Sequence, residues 1–265
     1  MRSGRIFWGL IAILAGVVLL MNSLGLIRVN FWAIFWPSLL ILAGLWFLIA
    51  PRLARDLPAG EVEKLNLPLG AIQSADVELE HGAGKLSVHA LELGGELAAG
   101  SFGHGVEVDF DPRRVPAKLK IKSKIDPLII PGMERGSYNW DLGLARNLPL
   151  NLRLTGGASD NELDLRDLQV QRLKIETGAS ATRVTLPAQV SFTDVEVESG
   201  AASMVIEVPQ GVAARIRVES GLLSVNVDPL RFPKVGNTYE SADFNTAQYR
   251  ADIRIESGVG SVEVK

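Results

Sequence analysis

Two hydrophobic patterns divide the chain. Before residue 52 apolar residues run almost unbroken; after residue 60 they alternate with polar ones. From Ile6 to Ile27 there are 22 residues without a charge, and from Val29 to Pro51 another 23. Each run is long enough to cross a hydrocarbon core of roughly 30 Å at about 1.5 Å per residue. Only Arg28, Val29 and Asn30 separate the two cores, which predicts a transmembrane helical hairpin over 1–51. Trp8, Trp32, Trp36 and Trp46 include residues near the segment ends, where indole rings favour the headgroup region. Ala12 and Gly16 form a small-xxx-small pair that allows close helix packing.

The alternative, a cleaved signal peptide ending near Gly25 and one span after it, fits less well. The apolar core is long, and no Ala-x-Ala cleavage pattern follows it. Arg2 and Arg5 flank one end of the hairpin and Arg52 and Arg55 the other, against Arg28 alone in the loop. The positive-inside bias therefore predicts a two-pass protein of a bacterial cell membrane with both ends, and the following domain, on the cytoplasmic side. Residues 52–60, with a proline and mixed charge, predict a juxtamembrane linker.

From residue 61 to 265 the alternation has period two, the mark of half-buried strands. It also repeats. Gly157, Gly178, Gly200 and Gly221 lie 21, 22 and 21 residues apart, and Gly258 follows after 37. An earlier copy centres on Gly82. Apolar residues stand five and three places before each glycine: Val77/Leu79, Leu152/Leu154, Leu173/Ile175, Val195/Val197, Ile216/Val218 and Ile253/Ile255. Such a period marks a repeat architecture. Two arrangements fit, an antiparallel meander and a β-solenoid of about 21 residues per coil, in which residues 21 apart stack at about 4.8 Å. The solenoid is favoured because the whole turn repeats. Each repeat is expected to supply two short strands joined by a glycine turn, the glycine being chosen for its tolerance of positive φ. Val197 and Val218 should then touch across adjacent coils. The last stretch, SVEVK at 261–265, is expected to form the terminal coil. Its exposed cross-section would be covered by the insertion from Asp228 to Ala251, with Phe232, Tyr239, Phe244 and Tyr249, or by a second molecule.

The polar positions raise the question of chemistry. Glu80, Glu176, Glu198, Glu219 and Glu256 share one column, with Thr155 replacing the acid in one coil. Stacked carboxylates are cation ligands in principle. The neighbouring column reads Glu78, Arg153, Lys174, Glu196, Arg217 and Arg254; Lys174, Glu196 and Arg217 alternate in sign, each beside an acid of the first column, which predicts a surface charge lattice that fixes register. The turns carry Ser, Gly and Ala, where a calcium loop would carry Asp and Asn. His81, His89 and His104 show no metal-ligand spacing. GSFGHG at 100–105 lacks the lysine and strand-to-helix setting of a phosphate cradle and is expected to form a hairpin. Asp109 and Asp111 in VDFDPRR fit a strand end better than a glycan-cleaving acid pair. No catalytic, cofactor-binding or metal residue is therefore assigned, and the expected protein is not an enzyme.

Charge and cysteine content narrow the classes further. Residues 1–56 hold five Arg against Asp56, a net +4; the remaining 22 basic and 29 acidic residues give −7. An acidic domain does not suit phosphate neutralisation, so no nucleic acid is expected. The absence of cysteine removes disulfides and thiolate metal sites.

Two parts of the chain resemble known families. GLIAILAGVVLLMNSLG followed by FWAIFWPSLLILAGL, with Trp36-Pro37 and Gly44, resembles the membrane region of LiaF-like bacterial envelope-stress proteins. The stretch YNWDLGLARNLPLNLRLTGGASDNELDLRDLQVQRLKIETGASATRVTLP resembles the toast-rack β domains of the same proteins and of candidate adhesins. The resemblance implies a membrane-anchored sensor or regulator of cell-envelope stress acting through protein–protein contacts. Its partners would be the lipid bilayer and either a protein such as a membrane histidine kinase or a second copy, with no small-molecule substrate. The alternative it leaves open is a surface adhesin or self-assembling scaffold.

Overall fold

A computed structural model describes residues 13, 36, 37, 40, 41, 62–92, 94–124 and 138–265. The chain divides into two units, Met1–Gly60 with Ile125–Gly136, and Glu61–Lys124 with Ser137–Lys265. In the first, the five described residues are helical. Among the described residues no helix is long and apolar enough to cross a membrane; apart from those five residues, the two apolar runs of the expected hairpin lie outside them.

The second unit is built of β1 (Val62–Pro68), β2 (Ala75–Ala90), β3 (Glu96–Gly103), β4 (Val106–Asp111), β5 (Ala117–Ser123), β6 (Trp140–Leu144), β7 (Pro149–Asp164) and β8 (Gln169–Thr185). It continues with β9 (Phe192–Glu207), β10 (Val212–Val227), β11 (Lys234–Val235), β12 (Thr238–Glu240) and β13 (Tyr249–Val264). Each repeat forms one strand of 16 or 17 residues that runs through the glycine, where two short strands were expected. Neighbouring repeats pair in parallel and in register: Leu79, Leu154, Ile175 and Val197 line up across β2, β7, β8 and β9. The stacking that the 21-residue period predicts is present, and the meander is excluded.

The order of the stack departs from the sequence. β13 does not end it. It lies between β9 and β10, pairing in parallel with both, so that Val197 stands against Ile255 and Ile255 against Val218. The expected contact between Val197 and Val218 is absent, because a whole strand separates them. The insertion explains how this is possible: the residues between β10 and β13 give the chain enough length to return inside its own last coil. They also cover the outer side of β10, where β12 pairs antiparallel over Arg215–Arg217 and Phe232 and Phe244 are buried. The insertion therefore covers β10, not the final strand.

The other end is closed by two small ladders on β2. Its first half pairs with β5, which pairs with β4; its second half pairs with β6, followed by β3 and β1. Trp140 and Phe102 fill this end edge-to-face, 5.2 Å between ring centres. GSFGHG turns the chain at His104 and Gly105, both with positive φ, but β3 and β4 do not pair, so it is no hairpin.

The repeated glycines serve a different purpose from the one expected. Gly157, Gly178, Gly200, Gly258 and Gly221 do not have positive φ. What they need is space. A Cβ on Gly157 would come within 2.5 Å of the Gly82 carbonyl oxygen, one on Gly258 within 2.7 Å of that of Gly200, and one on Gly221 within 2.9 Å of that of Gly258. The corners nest backbone on backbone, and any side chain would force the coils apart.

Candidate functional site

The outward face of the stack carries the columns in register. Across β2, β7, β8, β9, β13 and β10 the first reads Glu80, Thr155, Glu176, Glu198, Glu256, Glu219. The second reads Glu78, Arg153, Lys174, Glu196, Arg254, Arg217 in the same order. Side chains two residues apart on a strand, and opposite each other on neighbouring strands, share one face and lie within ion-pairing reach.

Lys174 is the centre of this lattice. Its Nζ lies 2.8 Å from Glu198, 3.1 Å from Glu176 and 3.4 Å from Glu196. The hydrogen bond to Glu198, then those to Glu176 and Glu196, hold the ammonium well above the ordinary lysine range. The same contact holds Glu198 below the ordinary carboxylate range. At the β2 end Lys120 bonds Glu80 and Lys122 lies 3.7 Å from it, which lowers the Glu80 carboxyl in the same way.

Beyond β9 the lattice changes character. Arg254 and Arg217 turn away from the glutamates toward Asp252, which Arg217 holds through two contacts of 2.6 Å. Arg215 joins at 3.9 Å, and Arg254 also reaches Asp194 at 3.5 Å. Glu256 and Glu219 are left with no ion pair among the described residues. With Glu176 and Glu198 they line an open depression floored by Thr177, Ser199 and Ser257. The hydroxyls are satisfied, Ser199 donating to Ser257 at 2.9 Å and Thr177 sharing a 2.9 Å bond with Ser180. Among the described residues no group of three or more His, Asp or Glu is arranged to hold a metal ion.

Asp252 went unnoticed in the sequence. It is only 7% exposed and gathers three arginines. Its signal was present, since aligning the copies sets Asp252 level with Arg215, but it has meaning only once the two strands are neighbours.

The histidines do not converge on one site. His81 is buried, donates from Nε2 to the Tyr138 carbonyl at 3.0 Å, and lies 4.8 Å from the Trp140 ring. Burial pushes its imidazole below the ordinary histidine range. His104 stacks on the Tyr138 ring at 4.0 Å, while His89 lies 3.4 Å from Asp141. Asp111 accepts from the Arg113 N–H at the end of β4, the strand-end role expected, while Asp109 lies within β4 and pairs across to Lys118 at 2.9 Å.

The geometry fits known proteins in two regions. Residues 6–48 match the LiaI-LiaF-like transmembrane region, which marks the chain as membrane-associated. Residues 58–207 match the N-terminal domain of toast_rack, DUF2154. A crystal structure of a candidate cell adhesion protein from Clostridium sporogenes is similar over 78% of this chain and 99% of that one. Its TM-score is 0.70 at 20% identity, a likeness of fold. A candidate adhesin from Bacteroides fragilis aligns over the same shares at 9% identity and a TM-score of 0.32, too low to bear on the fold. No curated protein matches the chain. A stack of in-register β coils with glycine corners, joined to a LiaI-LiaF-like membrane region and matched over more than half its length, settles the family: the chain belongs to the toast-rack family.

Proposed function

We propose that this is a non-enzymatic, membrane-anchored regulator of bacterial cell-envelope stress, whose β domain presents its charged face to a protein partner near the inner leaflet. The observation that carries this is the union, in one chain, of a LiaI-LiaF-like membrane region with a toast-rack domain. The lattice supports it. Lys174 and its three carboxylates fix a pattern of charge, and a surface of fixed charge suits recognition of a complementary partner. The hairpin spans twice, and the domain lies on the cytoplasmic side, where a membrane histidine kinase could be met.

The second reading, a surface adhesin or scaffold, is favoured by the fold of the Clostridium sporogenes protein. Side of the membrane separates the two. A reporter fused at Lys265 should be active only as a cytoplasmic fusion, and deletion of the chain should shift an envelope-stress transcription reporter. A fusion active only outside the cell would overturn the regulator reading in favour of adhesion.

A further inference from the structure

His81 breaks the pattern of its column. In register with it across β7, β8, β9 and β13 stand Gly156, Thr177, Ser199 and Ser257, all small. The imidazole of the first copy is larger than any of these, and it reaches beyond β2. β5 pairs with β2 as far as Glu80, and β6 pairs with it from Leu86 onward. Tyr138 fills the gap between them. Its backbone passes so close to Gly84 that a Cβ there would stand 2.7 Å from the Tyr138 carbonyl oxygen. That carbonyl takes the hydrogen bond from His81 Nε2 at 3.0 Å, while the Tyr138 ring stacks on His104.

The bond fixes the tautomer. A carbonyl only accepts, so Nε2 carries the proton and Nδ1 is bare. Among the described residues the buried Nδ1 has no hydrogen-bond partner. The groups facing the ring are the Trp140 indole, the Tyr138 carbonyl and, on β7, the backbone of Gly156. Along β2 itself, Glu80 is turned to Lys120 and Lys122. His104 lies on the Tyr138 ring. A second proton on His81, which is 2% exposed, would thus create a buried cation with neither a counter-ion nor an acceptor among these groups.

The place of this corner in the chain gives it a consequence. The chain passes between its two units at Gly60–Glu61, Lys124–Ile125 and Gly136–Ser137. Residues just inside the second unit gather at the turn of GSFGHG. Glu63 accepts from the Val106 N–H at 3.0 Å and from Lys124 Nζ at 3.3 Å, and the Lys124 N–H donates to the Gly105 carbonyl at 3.4 Å. Tyr138, stacked on His104, is the third.

We propose that His81 and Tyr138 form an acid-released latch at this crossing: protonation of Nδ1 drives the His81 ring out of the corner, breaks its bond to the Tyr138 carbonyl and frees the start of β6 from β2. The latch is independent of the role proposed above and of the side of the membrane. Burial sets its direction, holding the His81 imidazole below the ordinary histidine range. The open state takes up a proton that the closed state resists, so the latch is fully closed above the ordinary range and weakens as pH falls through it. One proton, with an open-state value of about 6.5, lets the opening constant rise up to about fivefold between pH 6.5 and 5.5. Glu63, whose carboxyl the Val106 N–H and then Lys124 hold low, stays ionised over that window.

Hydrogen exchange of the full-length protein in detergent, read by mass spectrometry and corrected for its intrinsic dependence on pH, follows the opening. Protection of residues 139–144 should fall several-fold from pH 6.5 to 5.5, while that of β8 holds. His81→Gln offers the Tyr138 carbonyl a donor that takes up no proton, and it should remove the fall. His104→Asn, a residue that tolerates the positive φ of 66° there, should keep it. No fall in the parent, or one shared equally by β8, would overturn the proposal whatever the variants do. So would a fall that survives in His81→Gln, or one that disappears in His104→Asn.

Discussion

Strands β7, β8 and β9 follow one another in space as they do in sequence, whereas β10 and β13 exchange places. The two regions carry the same motif, yet in one the glutamates are tied to Lys174, while the other leaves Glu256 and Glu219 without an ion pair among the described residues and its arginines gather at Asp252. The difference teaches that the repeat specifies the shape of a coil but not its neighbour. Each copy offers the same apolar pair, the same corner glycine and the same outward polar positions, so any copy can stack on any other. Connection length alone does not decide: four residues join β7 to β8, which are neighbours, and four join β9 to β10, which β13 separates; the insertion supplies the length that lets β13 enter between them.

The largest effect should come from placing a charge inside the ordered region. Val197 is 1% exposed and lies between Ile175 and Ile255. Val197→Asp should cost several kcal/mol, since an unpaired carboxylate would be buried there. The same change at Val218, only half-buried at the outer coil, should cost clearly less. Denaturant midpoints of the two variants compare the regions directly, and equal losses would mean that β10 is not outermost.

The corner glycines give the next contrast. Gly258→Ala would drive a methyl into the Gly200 carbonyl, with coils on both sides of β13. An overpacking penalty of about 1–3 kcal/mol is expected. Gly221→Ala meets the Gly258 carbonyl from the outside, where β10 can shift, so its loss should be smaller. Thermal melting would order the two, and the reverse order would contradict the swapped stack.

The charge lattice should matter less and depend on pH. Glu198 has its carboxyl lowered by Lys174, so its contribution is present above the ordinary carboxylate range and is lost as pH falls through its lowered value. Lys174 has the opposite sign. Its contribution is full below the ordinary lysine range and is lost only as pH rises through its raised value. Lys174→Met should therefore lower the melting temperature modestly near neutrality and flatten its decline in acid. High salt should shrink the difference between variant and parent. A decline in acid identical in both would remove Lys174 from the account. The smallest effect is expected from calcium, which should barely move the melting temperature; saturable micromolar binding lost in Glu198→Gln would show that the acidic column is a site.

Much of this was legible in the sequence. Pairs such as Val195/Val197 and Leu173/Ile175 gave the strands and their inner face, and the glycine spacing gave the stack and its register. The glycines misled about cause, because close approach between coils leaves the same residue in sequence as positive φ does. The exchange of β10 and β13 was hidden because Val218 and Ile255 are equivalent partners for Val197 in any alternation pattern. Charge does not distinguish the neighbour either, since Asp194 on β9 stands level with Asp252 and Arg215 would face an aspartate in both orders. The charged columns were legible as a lattice; the turning of Arg254 and Arg217 away from the glutamates was not.

The central claim, that β13 lies between β9 and β10, can be tested with three serines. Ser203, Ser261 and Ser224 form one exposed row across β9, β13 and β10, with the first two hydroxyls 3.4 Å apart. Replaced by cysteine in pairs in this cysteine-free chain, neighbours should oxidise to an intramolecular disulfide, and residues two strands apart, at roughly 10 Å, should not. The account predicts closure for Ser203→Cys with Ser261→Cys and for Ser261→Cys with Ser224→Cys, and none for Ser203→Cys with Ser224→Cys. Ready closure of that last pair, with failure of the first, would show a stack in sequence order and contradict it.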